Sequence, residues 1–243
     1  LHVFPIAHTA FDTATAELAG YIPHSVTQDV APADELAEMS GRNCYRSWQR
    51  RNPHTTDNAG YLKQIIDHQH YSVLEHASAT FFVEGVSRAL LAELTRHRHL
   101  SFSINSQRYI DYSGTTPVIP PAVEKGSTEE AVIRDAYTRA VADYTDLTEG
   151  LRARGLKRKE AREAARCILP NAAPVDLIVT GNMRAWREVI AKRFHEAADA
   201  EIRELASTLL RHLKILAPAT FQDFSTDNPA QDERGDGEGT GHA

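Results

Sequence analysis

Thr95-Arg96-His97-Arg98-His99-Leu100-Ser101-Phe102-Ser103-Ile104-Asn105-Ser106-Gln107-Arg108-Tyr109 is the densest run of chemistry in the chain. What precedes it sets the fold class. Ala77, Ala79, Phe81 and Val83 alternate with Ser78, Thr80 and Phe82, the period of a β-strand. Ser87 then opens a helix with Leu90, Leu91 and Leu94 at helical spacing, and this helix delivers the chain into Arg96. Further strands are predicted over His2–Ala7 and Val175–Val179. Helices are predicted from Asp34 to Trp48, with Leu36, Met39, Cys44 and Trp48 near one face, and from an Asp57 cap to about His68, with Leu62, Ile65 and Ile66 inward. A Ser127/Glu130 capping box starts a long helix carrying Ile133, Tyr137, Ala140, Tyr144 and Leu147, which Gly150 ends. A basic helix runs from about Lys157 and stops before Pro170, and two more span Met183–Phe194 and Ala198–Leu216. Strands separated by long helices, without regular alternation, predict an α+β fold: long helices around a small, mainly antiparallel sheet.

Arg96 to Arg108 contains three Arg and two His and no acid. Guanidinium groups without counter-charge at a helix end, followed by a hydroxyl-rich loop, suit phosphate binding, because Arg offers a planar fork and Ser hydroxyls and loop N–H groups complete the cradle. On charge alone the default reading is a solvated basic patch, or RNA contact through Arg and Phe102. A second basic stretch runs from Arg152 to Arg166, most of it a solvated face, with Arg166 set apart at an expected buried end beside Cys167, Ile168 and Leu169. A third holds Asn182, Arg184, Arg187 and Arg193, where Asn182 is most simply an N-cap. His68, His70, His76, His97 and His99 lack carboxylates at ligand spacing, which predicts no metal site.

The chain has 243 residues and a net charge of −6. Five acids against one base between Ser225 and Ala243 hold −4 of that, leaving −2 for the body. A body of that charge argues against a nucleic-acid partner, which wants a broadly basic face. Residues 225–243 lack aromatic and branched aliphatic side chains and are predicted to be a disordered acidic, Gly-rich tail, with one domain over residues 1–224. No apolar run approaches the ~20 residues needed to cross a bilayer. Leu1 to Ala10 shows no secretory pattern, and Cys44 and Cys167, far apart, fit a reducing cytoplasm.

Arg96-His97-Arg98, seven residues and then Ser106 resemble the Arg-His-Arg-x7-Ser signature of the flavin-dependent thymidylate synthases. The stretch from Asn58 through His70-Tyr71-Ser72-Val73-Leu74-Glu75-His76, the segment Ala165-Arg166-Cys167-Ile168-Leu169-Pro170-Asn171, and Thr180-Gly181-Asn182 are similar to the family in its order, over about residues 40–224. The resemblance implies methylation of dUMP to dTMP, FAD as cofactor, methylenetetrahydrofolate as carbon donor, NADPH as reductant, and a homotetramer with active sites shared between subunits. It implies FAD contacts from Ser72, Arg96, His97, Arg98, Asn182 and Arg184. It implies dUMP contacts from Glu93, Arg96, Ser106, Gln107, Arg108, Arg166 and Arg193, with Arg193 the catalytic residue that polarises the pyrimidine. Neither Cys44 nor Cys167 lies in a binding motif.

Three positions depart from the usual family pattern. Ile104 stands where many relatives have Gln or Glu, Glu188 where His or Asn is common, and Ala197 where His is usual, with His195 displaced by two. Two residues turn a helical side chain by ~200°, so His195 is no simple substitute. These departures imply weaker flavin binding and slower turnover. The competing readings are a same-fold relative that keeps nucleotide binding but has weakened or lost synthase activity, and an RNA-binding protein using residues 96–109.

Overall fold

Four strands form one sheet in the order β1-β2-β4-β3, where β1 is His2–His8, β2 Ser78–Ser87, β3 Ser101–Ile104 and β4 Pro174–Asn182. The computed structural model describes residues 1–22, 30–48 and 55–226. The predicted tail therefore falls, apart from Ser225 and Thr226, outside the described residues. β1 is antiparallel to β2, and β3 to β4. Thr80 meets Thr180 hydroxyl to hydroxyl at 2.9 Å and Gly85 N–H donates to Asp176, so β2 and β4 also run in opposite directions. Pro5, which cannot donate to a ladder, sits beside a register shift on edge strand β1, where such a residue is tolerated. The expected α+β class holds.

The contacts divide the chain into two compact units, each discontinuous in sequence. Unit 1 comprises Leu1–His8 and Ser78–Gly181. It holds the sheet, α4 (Arg88–Leu94), α5 (Thr128–Ala153) and α6 (Arg158–Ala165). Ala79, Phe81 and Val83 of β2 and Val175, Leu177 and Val179 of β4 are buried in strict alternation, and Leu90 and Leu94 of α4 are buried too. Ser87 caps α4 by accepting from Leu90 N–H. Tyr112, Tyr137, Tyr144, Ala165 and Ala173 make a second cluster under α5 and α6. Helix α5 outruns the expected stop: Gly150 stays helical, and the chain turns only past Arg154 at Gly155, whose φ of +96° suits a residue without Cβ. Leu147 is exposed rather than inward.

Unit 2 comprises Thr9–Ala77 and the chain from Asn182 onward. It holds α1 (Thr13–Leu18), α2 (Pro32–Tyr45), α3 (Asn58–Asp67), α7 (Met183–Arg193) and α8 (Ala200–Leu216). The Asp57 and Asn182 caps form as expected, accepting from Gly60 and Ala185 N–H groups. Helix α8 buries Ile202, Leu205, Leu209 and Leu213. Helix α2 reverses the expectation. Its inward face is Ala33, Asp34, Ala37, Glu38, Gly41 and Arg42, while Cys44 is exposed and Leu36, Met39 and Trp48 are half-buried. Charge can turn inward here because every charged group finds a partner. Arg42 Nε donates to Glu38 at 2.5 Å, Asn58 Nδ2 donates to the other Glu38 oxygen at 2.9 Å, and Asp34 accepts from the Ala219 and Thr220 N–H groups and the Thr220 hydroxyl.

Candidate active site

In unit 1 the signature is split by a strand. Residues 101–104, expected as loop, form β3, pairing Ser101 with Thr180 and Ile104 with Leu177. Four extended residues span ~13 Å, so Arg96-His97-Arg98 and Ser106-Gln107-Arg108 lie at opposite ends of β3 rather than in one cradle. Helix α4 ends at Leu94, and in the following turn Arg96 and Arg98 are exposed while His97 between them is buried. Among the described residues neither the Arg96 nor the Arg98 side chain makes an ion pair or hydrogen bond. Glu93, half-buried, is in the last turn of α4, and its carbonyl accepts from the Arg96 N–H just past the helix end at 3.2 Å.

At the other end of β3, Ser106 heads a tight turn. Its carbonyl accepts from Tyr109 and Ile110 N–H, and its hydroxyl from Arg108 N–H at 3.4 Å. The N–H groups of Ser106 and Gln107 have no acceptor among the described residues. Helix α6 holds this turn in place. Arg162 donates to the Tyr109 carbonyl at 2.6 Å and to Asp111 at 2.5 Å, and Arg108 lies 3.6 Å from Glu163. Burial opposes ionisation of Asp111, but the Ser113 N–H and hydroxyl and then Arg162 outweigh it and hold the carboxyl below its usual value. Arg166 caps α6 in helical conformation, three and four residues beyond Glu163 and Arg162 and so on their side of the helix. It is exposed, not at a buried end as expected, and its guanidinium has no partner among the described residues. The turn therefore brings Ser106, Gln107 and Arg108 to the helix that ends in Arg166. Two N–H groups without an acceptor among the described residues, a hydroxyl that can donate and two exposed or half-exposed guanidinium groups make a donor-rich set that suits an anion.

Unit 2 gathers Ser72 and Arg184 in one cleft of about 400 Å³, with His70, Tyr71, Tyr45 and Cys44 in its wall. Ser72 lies on the 3₁₀ turn Tyr71–Glu75, and its hydroxyl is exposed. Arg184, in the first turn of α7, pairs with Glu75 at 2.5 Å, both half-exposed. Asn182 spends its side-chain oxygen on the cap of α7. Arg193, half-buried, closes the same helix, and Glu188 is exposed and paired with Lys192 at 2.5 Å. His195 Nδ1 accepts from Ala197 N–H, so that nitrogen is used locally.

Three features escaped the sequence. Cys44 lines the cleft although no motif contains it. Arg187, buried, takes Asp223 in two bonds of 2.7 Å and stacks on Tyr71 at 5.3 Å, bracing the turn that carries Ser72. Ile104 is half-buried on the inner face of the sheet: its register partner Leu177 is buried while the next residue, Ile178, is exposed. Cross-strand partners share a face, so Ile104 has an apolar neighbour there, and an apolar side chain fits. The first two are contacts distant in sequence, which periodicity cannot signal.

Each unit by itself has chemistry that fits part of a flavin dinucleotide: in unit 1, Arg96 and Arg98, without partners among the described residues, suit a diphosphate, and in unit 2 the cleft lies within the ~300–1,000 Å³ usual for ligand sites, with aromatic rings in its wall. The family described as Thymidylate synthase complementing protein matches residues 25–219. A probable flavin-dependent thymidylate synthase of Mycobacterium phage L5 is 54% identical over 197 residues, covering 79% of this chain and 81% of that protein. The flavin-dependent thymidylate synthase of Mycobacterium bovis is 47% identical over 210 residues, covering 84% and 83%. Among solved structures, the UMP/dUMP methylase PolB from Streptomyces cacaoi, bound with 5-Br UMP, superposes with a TM-score of 0.64 at 21% identity over 91% of this chain and 92% of that one, a likeness of fold. On the extent of these matches, the chain belongs to the thymidylate synthase complementing protein family, that of the flavin-dependent thymidylate synthases.

Proposed function

We propose that this enzyme methylates dUMP to dTMP, with FAD as cofactor, methylenetetrahydrofolate as carbon donor and NADPH as reductant. The observation that carries the reading is the set of exposed guanidinium groups, Arg96, Arg98 and Arg166, that have no partner among the described residues. An anion meeting such a group displaces water and breaks no salt bridge. Arg96, Arg98 and the cleft residues Ser72 and Arg184, with His97 and Asn182 beside them in sequence, hold FAD, which when bound supplies the hydride drawn from NADPH. Ser106, Gln107, Arg108 and Arg166 hold the dUMP phosphate, with Glu93 on α4 and Arg96 in the turn after it. Arg193 stabilises negative charge on the pyrimidine amide, which makes C5 the nucleophile towards the one-carbon unit. In this reading residues 1–224 are the synthase domain, the protein works in the cytoplasm, and four copies assemble so that active sites are shared.

The test is a visible absorption scan of purified protein, then dTMP formation from dUMP with both cosubstrates. A flavin spectrum with turnover supports the reading. A colourless protein that binds dUMP without turnover supports the weakened relative, and binding of RNA but not dUMP overturns both. Sedimentation checks assembly: a stable monomer near 27.0 kDa counts against shared sites.

A further inference from the structure

Arg88 joins three segments of unit 1: the start of α4, which carries Glu93, the segment of Ser106, Gln107 and Arg108, and the segment around Ala173. Its Nη2 donates to the Asn105 carbonyl at 3.0 Å and to the Tyr112 hydroxyl at 3.0 Å, with Asn105 Oδ1 at 3.3 Å. The Tyr112 hydroxyl donates onward to the Pro174 carbonyl at 3.0 Å, and Asn105 N–H to the Asp176 carbonyl at 3.1 Å. The start of α4 rests on the same segment, since Arg88 and Ala89 N–H groups donate to Ala173 and Asn171 carbonyls. One guanidinium thus grips the residue immediately before Ser106. Its helix carries Glu93 and leads into the turn of Arg96, and the segment it abuts follows Arg166.

The partners of this cation are all neutral oxygens. Among the described residues Arg88 makes no ion pair, and its Nε is buried without a hydrogen-bond partner. The buried arginines Arg42, Arg162 and Arg187 each have a carboxylate. A half-buried guanidinium left without one keeps its field, and the nearest chain element it fixes is the Ser106 turn.

We propose that Arg88 is a positioning residue for the nucleotide phosphate: through Asn105 it sets the turn whose N–H groups and hydroxyl face the anion, and its uncompensated charge adds to the attraction there. This rests on the dUMP reading above. It is tested on flavin-loaded protein by dUMP and deoxyuridine titration, flavin occupancy, and separate KM and kcat, for Arg88→Met, Arg88→Lys and Tyr112→Phe. Arg88→Met is expected to raise the dUMP Kd and KM about 10- to 30-fold, as for loss of a charged hydrogen-bonding group. Flavin occupancy, deoxyuridine binding and kcat at saturating dUMP should change by less than about threefold, the pattern of lost ground-state binding. Arg88→Lys should recover part of the affinity, because charge returns without the planar fork. Tyr112→Phe deletes one oxygen and carries the test if Arg88→Met fails to fold; it should weaken dUMP alone. Equal loss of flavin and dUMP binding would show a merely structural role and overturn the proposal, as would unaltered dUMP affinity. Wild-type protein that binds no dUMP removes the functional reading itself.

Discussion

Two arginines one helical turn apart on α6 should behave oppositely when removed. Arg162 is buried and gives two charge-assisted bonds, to Tyr109 and Asp111. Arg166 is exposed and gives none among the described residues. For Arg162→Ala the loss is at least one bond to a charged group, ~1.5–3 kcal/mol, and the Tyr109 carbonyl loses its Arg162 donor. At ~2–4 °C per kcal/mol for a chain of this size, its melting temperature should fall by about 3–12 °C. Arg166→Ala is a surface change of ~0.5 kcal/mol or less and should melt within about 2 °C of wild type. Binding reverses the order of interest. If Arg166 meets the phosphate, losing that charged bond costs ~1.5–3 kcal/mol, which raises the dUMP Kd by about 10- to 150-fold.

The assay pairs thermal melts with calorimetric titration of dUMP and of deoxyuridine, which lacks the phosphate. Arg166→Ala should lose the preference for dUMP over deoxyuridine while keeping its stability. An Arg166→Ala protein that melts as low as Arg162→Ala would show that Arg166 has a structural partner. Unchanged dUMP affinity would remove Arg166 from the phosphate site.

Arg193→Ala should cut dTMP formation at least ~100-fold, the scale of removing one charge-stabilising donor, with flavin absorbance retained; unaltered turnover removes it from the mechanism. Glu75→Gln frees Arg184 from its half-exposed ion pair and should tighten FAD by about two- to fivefold in fluorescence titrations at low salt, an effect that fades at high salt. Asp34→Ala leaves three buried donors on Ala219 and Thr220 unsatisfied and should lower the unfolding free energy by ~1–3 kcal/mol or more in urea titrations. Burial raises the Asp34 pKa, against the Thr220 and Ala219 hydrogen bonds. Its stabilising contribution is therefore fullest below the usual 3.8 and declines as pH rises through the folded value, a limb that Asp34→Ala should lack.

Local chemistry in the sequence was legible wherever its partner was also local. Ser87, Asp57, Ser127 and Asn182 each cap a helix within three residues of themselves, and the β2 alternation reports a face that β2 itself presents. Helix α2 was misread because apolarity is a poor guide when Arg42 pairs with Glu38 one turn away and the remaining Glu38 and Asp34 oxygens accept from Asn58 and Thr220, contacts made 20 and 186 residues away. β3 was missed because four residues with two serines give too short a run for its period to stand out, and only pairing with β4 makes it a strand. In the site, Arg96 to Arg108 announced itself by density. Arg166 stood out only by its place beside Cys167, Ile168 and Leu169, and its role, like that of Arg193, came from resemblance, since a single Arg on a helix carries no signal of what it binds. Arg88 and Tyr112 carried none, because what marks them is a junction of segments.

The arginines of this acidic chain fall into groups by burial and pairing. Arg42, Arg162 and Arg187 are buried, and each has a carboxylate within 2.7 Å, because a buried cation without one would cost several kcal/mol, roughly the whole margin of a folded domain. Arg96, Arg98 and Arg166 avoid that cost by staying in water, where among the described residues they make no ion pair or side-chain hydrogen bond. The two groups answer to different pressures, and substitution should separate them: loss of a paired arginine appears as lost stability, and loss of an unpaired one as lost affinity. Arg88 belongs to neither group. It is half-buried, bound by neutral oxygens and left charged, which makes sense if the charge serves a ligand and the hydrogen bonds serve the turn that receives it.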